Sequence, residues 1–200
     1  MKKLLALLAV MFLTVVANAG MIVTKLSLDG AGTINSTDGY NSTSSPGVGI
    51  DAEYLSKVQE INNLTFGFGL EYQFPRAATE GGYFGFMPLY LTGQYTLCNK
   101  CCYKPYLKIN LGYDLVFNGD SNFKYDNSGV LNGGVYYAFG VGSNIYKDTV
   151  VAELMYSTYC GAWNAISNTT PPEIYISNNT YSVLALKVGY CFDLDGCCGK

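Results

Sequence analysis

The sequence contains no histidine, one arginine (Arg76), one tryptophan (Trp163) and little charge of either sign. Charged residues make up 14% of it, against roughly 25% in ordinary soluble domains. Without histidine the chain lacks the side chain most often used for general acid–base chemistry near neutrality. No pair of carboxylates shows a diagnostic spacing either, so a non-enzyme with no cofactor is expected. A lone arginine and the absence of any basic patch argue against a nucleic-acid partner. Beyond Val16 no segment approaches the roughly 18 uninterrupted apolar residues that a membrane helix needs.

What is present begins with a three-part N-terminus. Met1-Lys2-Lys3 is followed by the apolar stretch Leu4 to Val16 and then by Ala17-Asn18-Ala19. A basic start, a short apolar stretch and a small-x-small site are the parts of a secretory signal. Residues 1–19 are therefore expected to be removed. Loss of Lys2 and Lys3 takes 12 basic residues down to 10 against 15 acids, a net charge of about −5 on an exported chain.

The rest of the chain alternates. The runs Leu64-Thr65-Phe66-Gly67-Phe68-Gly69-Leu70-Glu71-Tyr72-Gln73-Phe74 and Leu107-Lys108-Ile109-Asn110-Leu111-Gly112-Tyr113-Asp114-Leu115 put an apolar residue at every second position. Successive side chains of a strand point to opposite faces, so each run has one apolar and one polar face. The pattern predicts eight strands, roughly 21–32, 47–57, 63–74, 86–97, 104–117, 133–146, 149–160 and 180–192. The apolar set includes Leu26, Ile50, Phe66, Leu70, Leu89, Leu107, Ile109, Leu111, Phe139, Leu154 and Leu186. None of its members is charged, whereas the opposite set holds Lys25, Asp29, Asp51, Glu53, Glu71, Lys108, Asp114, Glu153 and Lys187. A lysine on a lipid-facing position at mid-membrane costs roughly 2–4 kcal/mol. The segregation therefore points to a barrel with its apolar side outward in lipid and its charges inside.

Connections after the second, fourth and sixth strands are short. Those after the first, third, fifth and seventh (33–46, 75–85, 118–132 and 161–179) are longer and rich in Gly, Asn, Ser, Thr and Pro. Short turns at one end and long loops at the other suit an up-and-down membrane barrel whose short end faces the periplasm. Aromatics gather near strand ends: Tyr72, Phe74, Phe84, Phe86, Phe117, Tyr136 and Tyr156 toward the long loops, and Tyr95, Tyr103, Tyr106, Tyr146, Tyr190 and Phe192 toward the short turns. They are expected to form girdles at the lipid–headgroup boundary.

With these features the chain resembles the small OmpA/OmpX-type eight-stranded outer-membrane barrels. The last predicted strand, Leu184 to Phe192, alternates apolar positions and ends on Tyr190 and Phe192. It resembles the C-terminal signal that the barrel assembly machinery reads. The resemblance implies residence in the cell outer membrane, with membrane lipid and that machinery as partners. It also implies a barrel over 20–192 followed by a short cysteine-containing tail, 193–200. In the family the terminal aromatic usually ends the chain, whereas Asp193 to Lys200 follow it here. A wall-tethering role through a peptidoglycan-binding domain after the barrel is not expected.

Inside such a barrel, Glu53, Glu71, Lys108, Asp114, Glu153 and Lys187 are expected to form a lumen charge network. An eight-stranded interior is just wide enough for side chains. Gln73, Tyr90, Tyr136, Met155 and Tyr159 would help fill it, and inward glycines (Gly67, Gly69, Gly112, Gly140, Gly142, Gly189) would leave room for water. A plugged lumen is expected over an open pore.

Cys98, Cys101 and Cys102 lie on the second short turn and Cys197 and Cys198 near the chain end. In an oxidising periplasm one or two disulfides joining these groups are expected, with connectivity open. A zinc site from Cys98, Cys101, Cys197 and Cys198 is the weaker alternative, because adjacent cysteines fit zinc spacing poorly. The functional expectation is a non-enzymatic envelope barrel with a structural role or a surface partner met through its long loops. The alternatives are a soluble exported lipocalin-like barrel binding an apolar molecule, or a narrow pore.

Overall fold

The computed structural model describes residues 20–37, 39, 41–79, 83–118, 130–145, 149–166 and 174–194. The predicted signal segment, Tyr146, and the tail cysteines Cys197 and Cys198 lie outside the described residues.

All regular structure among the described residues is β. The strands are β1 (Gly20–Asp29), β2 (Thr33–Ser36), β3 (Asn41–Thr43), β4 (Gly47–Lys57), β5 (Leu64–Gln73), β6 (Arg76–Ala77), β7 (Tyr83–Thr96), β8 (Lys104–Asn118), β9 (Val130–Asn132), β10 (Val135–Ile145), β11 (Val150–Ile166) and β12 (Ile174–Asp193). The eight long ones, β1, β4, β5, β7, β8, β10, β11 and β12, form an antiparallel ring. It closes because β1 pairs with β12 (Leu26 opposite Val188) as well as with β4 (Leu26 opposite Ile50). Closure pairs each of these eight strands on both sides, so none of them is an edge of the ring.

All eight predicted strands are present, and the segment 47–57 coincides with β4. The connections differ from expectation. β11 continues to Ile166 and β12 starts at Ile174, in register down to Ile166 opposite Ile174, so much of the expected loop 161–179 is a strand extension. The hairpin β2–β3 lies within the expected loop 33–46 and adds to β12, with Tyr181 opposite Ile34. β9 adds to the far part of β11. Pairing depends on backbone groups, which a polar Asn- and Thr-rich segment supplies as well as an apolar one, and side-chain alternation does not report it.

The two faces separate as the alternation predicts. Leu26, Ile109 and Leu111 are 66%, 63% and 60% exposed on the outside, while Glu71 is 0% and Lys187 1% exposed inside. Every charged residue of the polar set is buried. The aromatic girdle needs correction. Tyr72, Phe74, Tyr95, Tyr103, Tyr156, Tyr190 and Phe192 are partly or well exposed, but Phe84, Phe86, Tyr106 and Tyr136 are buried. These four share strand parity with Tyr90, Lys108 and Ala138, which are buried too, so period two turns them toward the axis.

The interior is layered along the barrel axis. Nearest the short turns lies an apolar layer of Val23, Leu55, Tyr106, Val151 and Cys191. Toward the long-loop end Phe84, Phe86, Tyr90, Tyr136, Met155, Tyr159, Tyr181 and Val183 pack together. The ring of Phe86 stacks on Tyr159 at 4.7 Å between centroids. Lys25, Lys108, Lys187 and the carboxylates they contact lie between these layers.

Candidate functional site

β1, β4, β5, β8, β11 and β12 each direct charged side chains into the middle of the barrel. Lys25 Nζ lies 2.7 Å from Glu53 Oε2 and 3.0 Å from Glu153 Oε2. Lys108 Nζ bridges the same two acids, at 2.6 Å from Glu53 Oε2 and 2.8 Å from Glu153 Oε1. Lys187 Nζ joins Asp51 Oδ2 at 2.9 Å to Glu71 Oε2 at 2.7 Å. Lys25 also stands 3.5 Å from Asp51, which makes the three lysines and four carboxylates one connected set. Almost no water-accessible surface remains on any of these side chains. Each charge is sited where leaving it alone would cost several kcal/mol, and alternation of sign offsets that cost.

Tyrosines extend the set in both directions. The Tyr106 hydroxyl donates to Glu153 Oε1 at 2.8 Å, and the Tyr90 hydroxyl lies 2.9 Å from both Asp51 Oδ1 and Glu53 Oε1. Gln73 Nε2 reaches Glu71 Oε1 at 3.3 Å and also bonds the Tyr159 hydroxyl. Arg76 donates to Gln73 Oε1 at 3.1 Å, to the Tyr181 hydroxyl at 2.9 Å, and to Asp29. Ser44 meets the Tyr181 hydroxyl at 3.2 Å. A continuous polar chain therefore runs along the bore from Tyr106 to Ser44.

Of the residues expected in the lumen network, Glu53, Glu71, Lys108, Glu153 and Lys187 are brought together. Asp114 is buried and inward but makes no ion pair among the described residues, and its Oδ1 has no hydrogen-bond partner. It sits opposite Pro88 on β7, a residue without a donor N–H. Lys25 and Asp51, which also lie on the polar face, are full members beyond the six residues expected. Arg76 was illegible: it sits on the two-residue strand β6, beyond the alternating pattern.

The inward glycines do not leave space for water. A side chain on Gly69 would meet the Tyr90 ring, one on Gly142 the Tyr106 ring, and one on Gly189 the Lys25 stem. Glycine is the only residue over which a large neighbour can lie flat across the sheet. Gln73, Tyr90, Tyr136, Met155 and Tyr159 are all buried on the axis.

Cys98 and Cys101 are joined by a disulfide within their own turn, with Cα atoms 5.6 Å apart, so neither is available to the tail. Cys102 is exposed and in no disulfide. Among the described residues no group of three metal-ligating side chains comes together. Tyr190 and Phe192 are outward near the end of β12, with ring centroids 4.8 Å apart.

No protein-family profile and no curated protein sequence matches the chain. Among solved structures it is similar to the outer membrane protein OprG from Pseudomonas aeruginosa, at 14% identity, 88% coverage of this chain, 97% of that one and a TM-score of 0.54. Neisserial surface protein A aligns over 86% of this chain and 96% of its own at 15% identity and a TM-score of 0.49. Ail, the attachment invasion locus protein of Yersinia pestis, aligns over 88% and 99% at 12% identity and a TM-score of 0.49. The closed ring, its outward apolar face and the match to OprG together give this chain the fold of a small eight-stranded outer-membrane barrel.

Proposed function

We propose that the chain is a non-enzymatic integral barrel of a bacterial outer membrane, with a sealed bore and a role in envelope structure or surface contact. The observation that supports this most is the distribution of surface. Leu28, Leu89, Leu107, Phe139, Val188 and others like them are well exposed around the ring, and the charges that face the bore, from Lys25 to Lys187, are buried. Such a surface is the inverse of a soluble protein's, and lipid is the solvent that suits it. Residues 1–19 would direct export, and Tyr190 and Phe192 would be read during assembly. The short turns would face the periplasm. The extensions of β11 and β12, with β2, β3 and β9 beside them, would stand outside the cell and meet a partner there.

The soluble lipocalin-like alternative requires an apolar chamber, and this bore is filled by paired charges and tyrosines instead. A pore requires an open path, and the polar chain occupies the axis. The test is electrophoresis of the outer-membrane fraction in detergent with and without heating. A closed barrel migrates differently from its heat-denatured form. Recovery as a soluble monomer, or no change of mobility on heating, would overturn the reading.

A further inference from the structure

Three of the described lysines lie in the bore and three at the short-turn end. Lys25, Lys108 and Lys187 are engaged with buried carboxylates. Lys57, Lys100 and Lys104 all line a single cavity of about 1030 Å³ at the short-turn end. That cavity opens between the turn joining β4 to β5 and the turn joining β7 to β8. Its other polar walls include the neutral amides and hydroxyls of Asn63, Asn99, Thr65 and Thr96, and no carboxylate of the described residues lines it. Glu60 is on the first of these turns but is not part of the wall.

The walls are held in place by the backbone. Asn63 adopts a left-handed conformation (φ 72°), which Asn tolerates better than most residues. Its carbonyl accepts from Thr96 N–H at 2.9 Å, and its side-chain oxygen accepts from Asn99, so the two turns are tied to each other. The Cys98–Cys101 disulfide closes the loop that carries Lys100. Leu97 N–H donates to the Pro105 carbonyl at 2.8 Å and fixes the approach to Lys104. Three cations on one braced cavity, with no carboxylate among its described walls, concentrate positive potential there. Exposed Leu97 and Ile61 belong to the same wall.

We propose that this cavity binds a phosphate group, free or as the headgroup of an anionic phospholipid. Ammonium groups act on phosphate as point charges with several donors each, and amide N–H donors from Asn63 and Asn99 can complete the shell. The lipid source rests on the membrane reading of the preceding subsection, whereas binding of free phosphate does not.

The test uses the full-length folded protein. In a detergent without phosphate, titration with inorganic phosphate is followed by calorimetry. In parallel, nanodiscs of phosphatidylcholine with or without phosphatidylglycerol are analysed for lipid retained on the protein by native mass spectrometry. Variants are the triple K57Q/K100Q/K104Q and the triple K57R/K100R/K104R, both checked for heat-dependent mobility. The expected result is binding by the natural protein, retained by the arginine triple and weakened roughly 100-fold by the glutamine triple. Selective retention of phosphatidylglycerol assigns the site to lipid, and binding of inorganic phosphate alone assigns it to the free anion. No binding in either arm, or binding unchanged in the glutamine triple, overturns the proposal. A soluble chain that still binds inorganic phosphate would defeat the membrane reading and leave the site standing.

Discussion

The Tyr106 hydroxyl donates to Glu153 Oε1 at 2.8 Å across Gly142, the β10 residue that stands in register between them. The same device recurs on the other side of the bore, where Tyr90 reaches Glu53 at 2.9 Å across Gly69 of β5. In each case a ring lies over a bare backbone to reach a carboxylate two strands away.

Substituting valine at Gly142 or Gly69 should therefore displace a tyrosine and strip a carboxylate of its donor. Overpacking alone costs about 1–3 kcal/mol. Urea titration of the refolded protein in lipid should show that loss for G142V and G69V. Gly93→Ala should be neutral, since its nearest contact would be Ile109 at an ordinary 3.6 Å. Equal effects at all three positions would disprove the device.

Lys187 is the only cation on Glu71 among the described residues. Lys187→Met should strand a buried carboxylate at a cost of about 3–5 kcal/mol. Adding Glu71→Gln should recover part of the loss, because the stranded charge is then gone. Additive losses in the double variant, read from the same urea titration, would show that the two side chains act independently.

On the outside, Leu111→Lys should cost roughly 2–4 kcal/mol in lipid if that position lies near mid-bilayer. Leu97→Lys, beside the short turns, should cost no more than about 1 kcal/mol. A soluble β-protein would tolerate both equally, so the difference between the two sites is the measurement of interest.

In planar bilayers the natural protein should give no steady single-channel current. The axis carries paired charges and stacked rings, and eight strands leave no further width. A reproducible current step in the natural protein would mean that the filled bore opens.

Alkylation of folded protein without reductant should label Cys102 and spare Cys98 and Cys101, which should become reactive after reduction. Peptide mapping by mass spectrometry distinguishes these outcomes, and labelling of Cys98 or Cys101 in unreduced material would contradict the turn disulfide.

Much of this architecture is legible in the sequence because a period of two admits only two faces. Once Leu107, Ile109 and Leu111 are outside, Lys108 and Asn110 must be inside. The same rule turns Phe84, Phe86, Tyr106 and Tyr136 inward, however close they stand to a strand end. The site was only partly legible. Which lysine meets which acid depends on register between strands far apart in sequence, as with Lys25 and Glu153. Glycine gives no sign of what lies over it, so Gly69 and Gly142 read as gaps. Arg76 and the strand extensions beyond Cys160 have no amphipathic pattern to announce them.

The seam between β1 and β12 brings the first and last strands of the ring together. Lys25 meets Glu153, and Lys187 meets Asp51, only across that seam or its immediate neighbours. Synthesis must therefore finish before these side chains can neutralise one another. Until then a curled, unfinished sheet would display ionised groups along its concave side and would have to stay wetted there. Closing the seam and completing these ion pairs are therefore geometrically the same step.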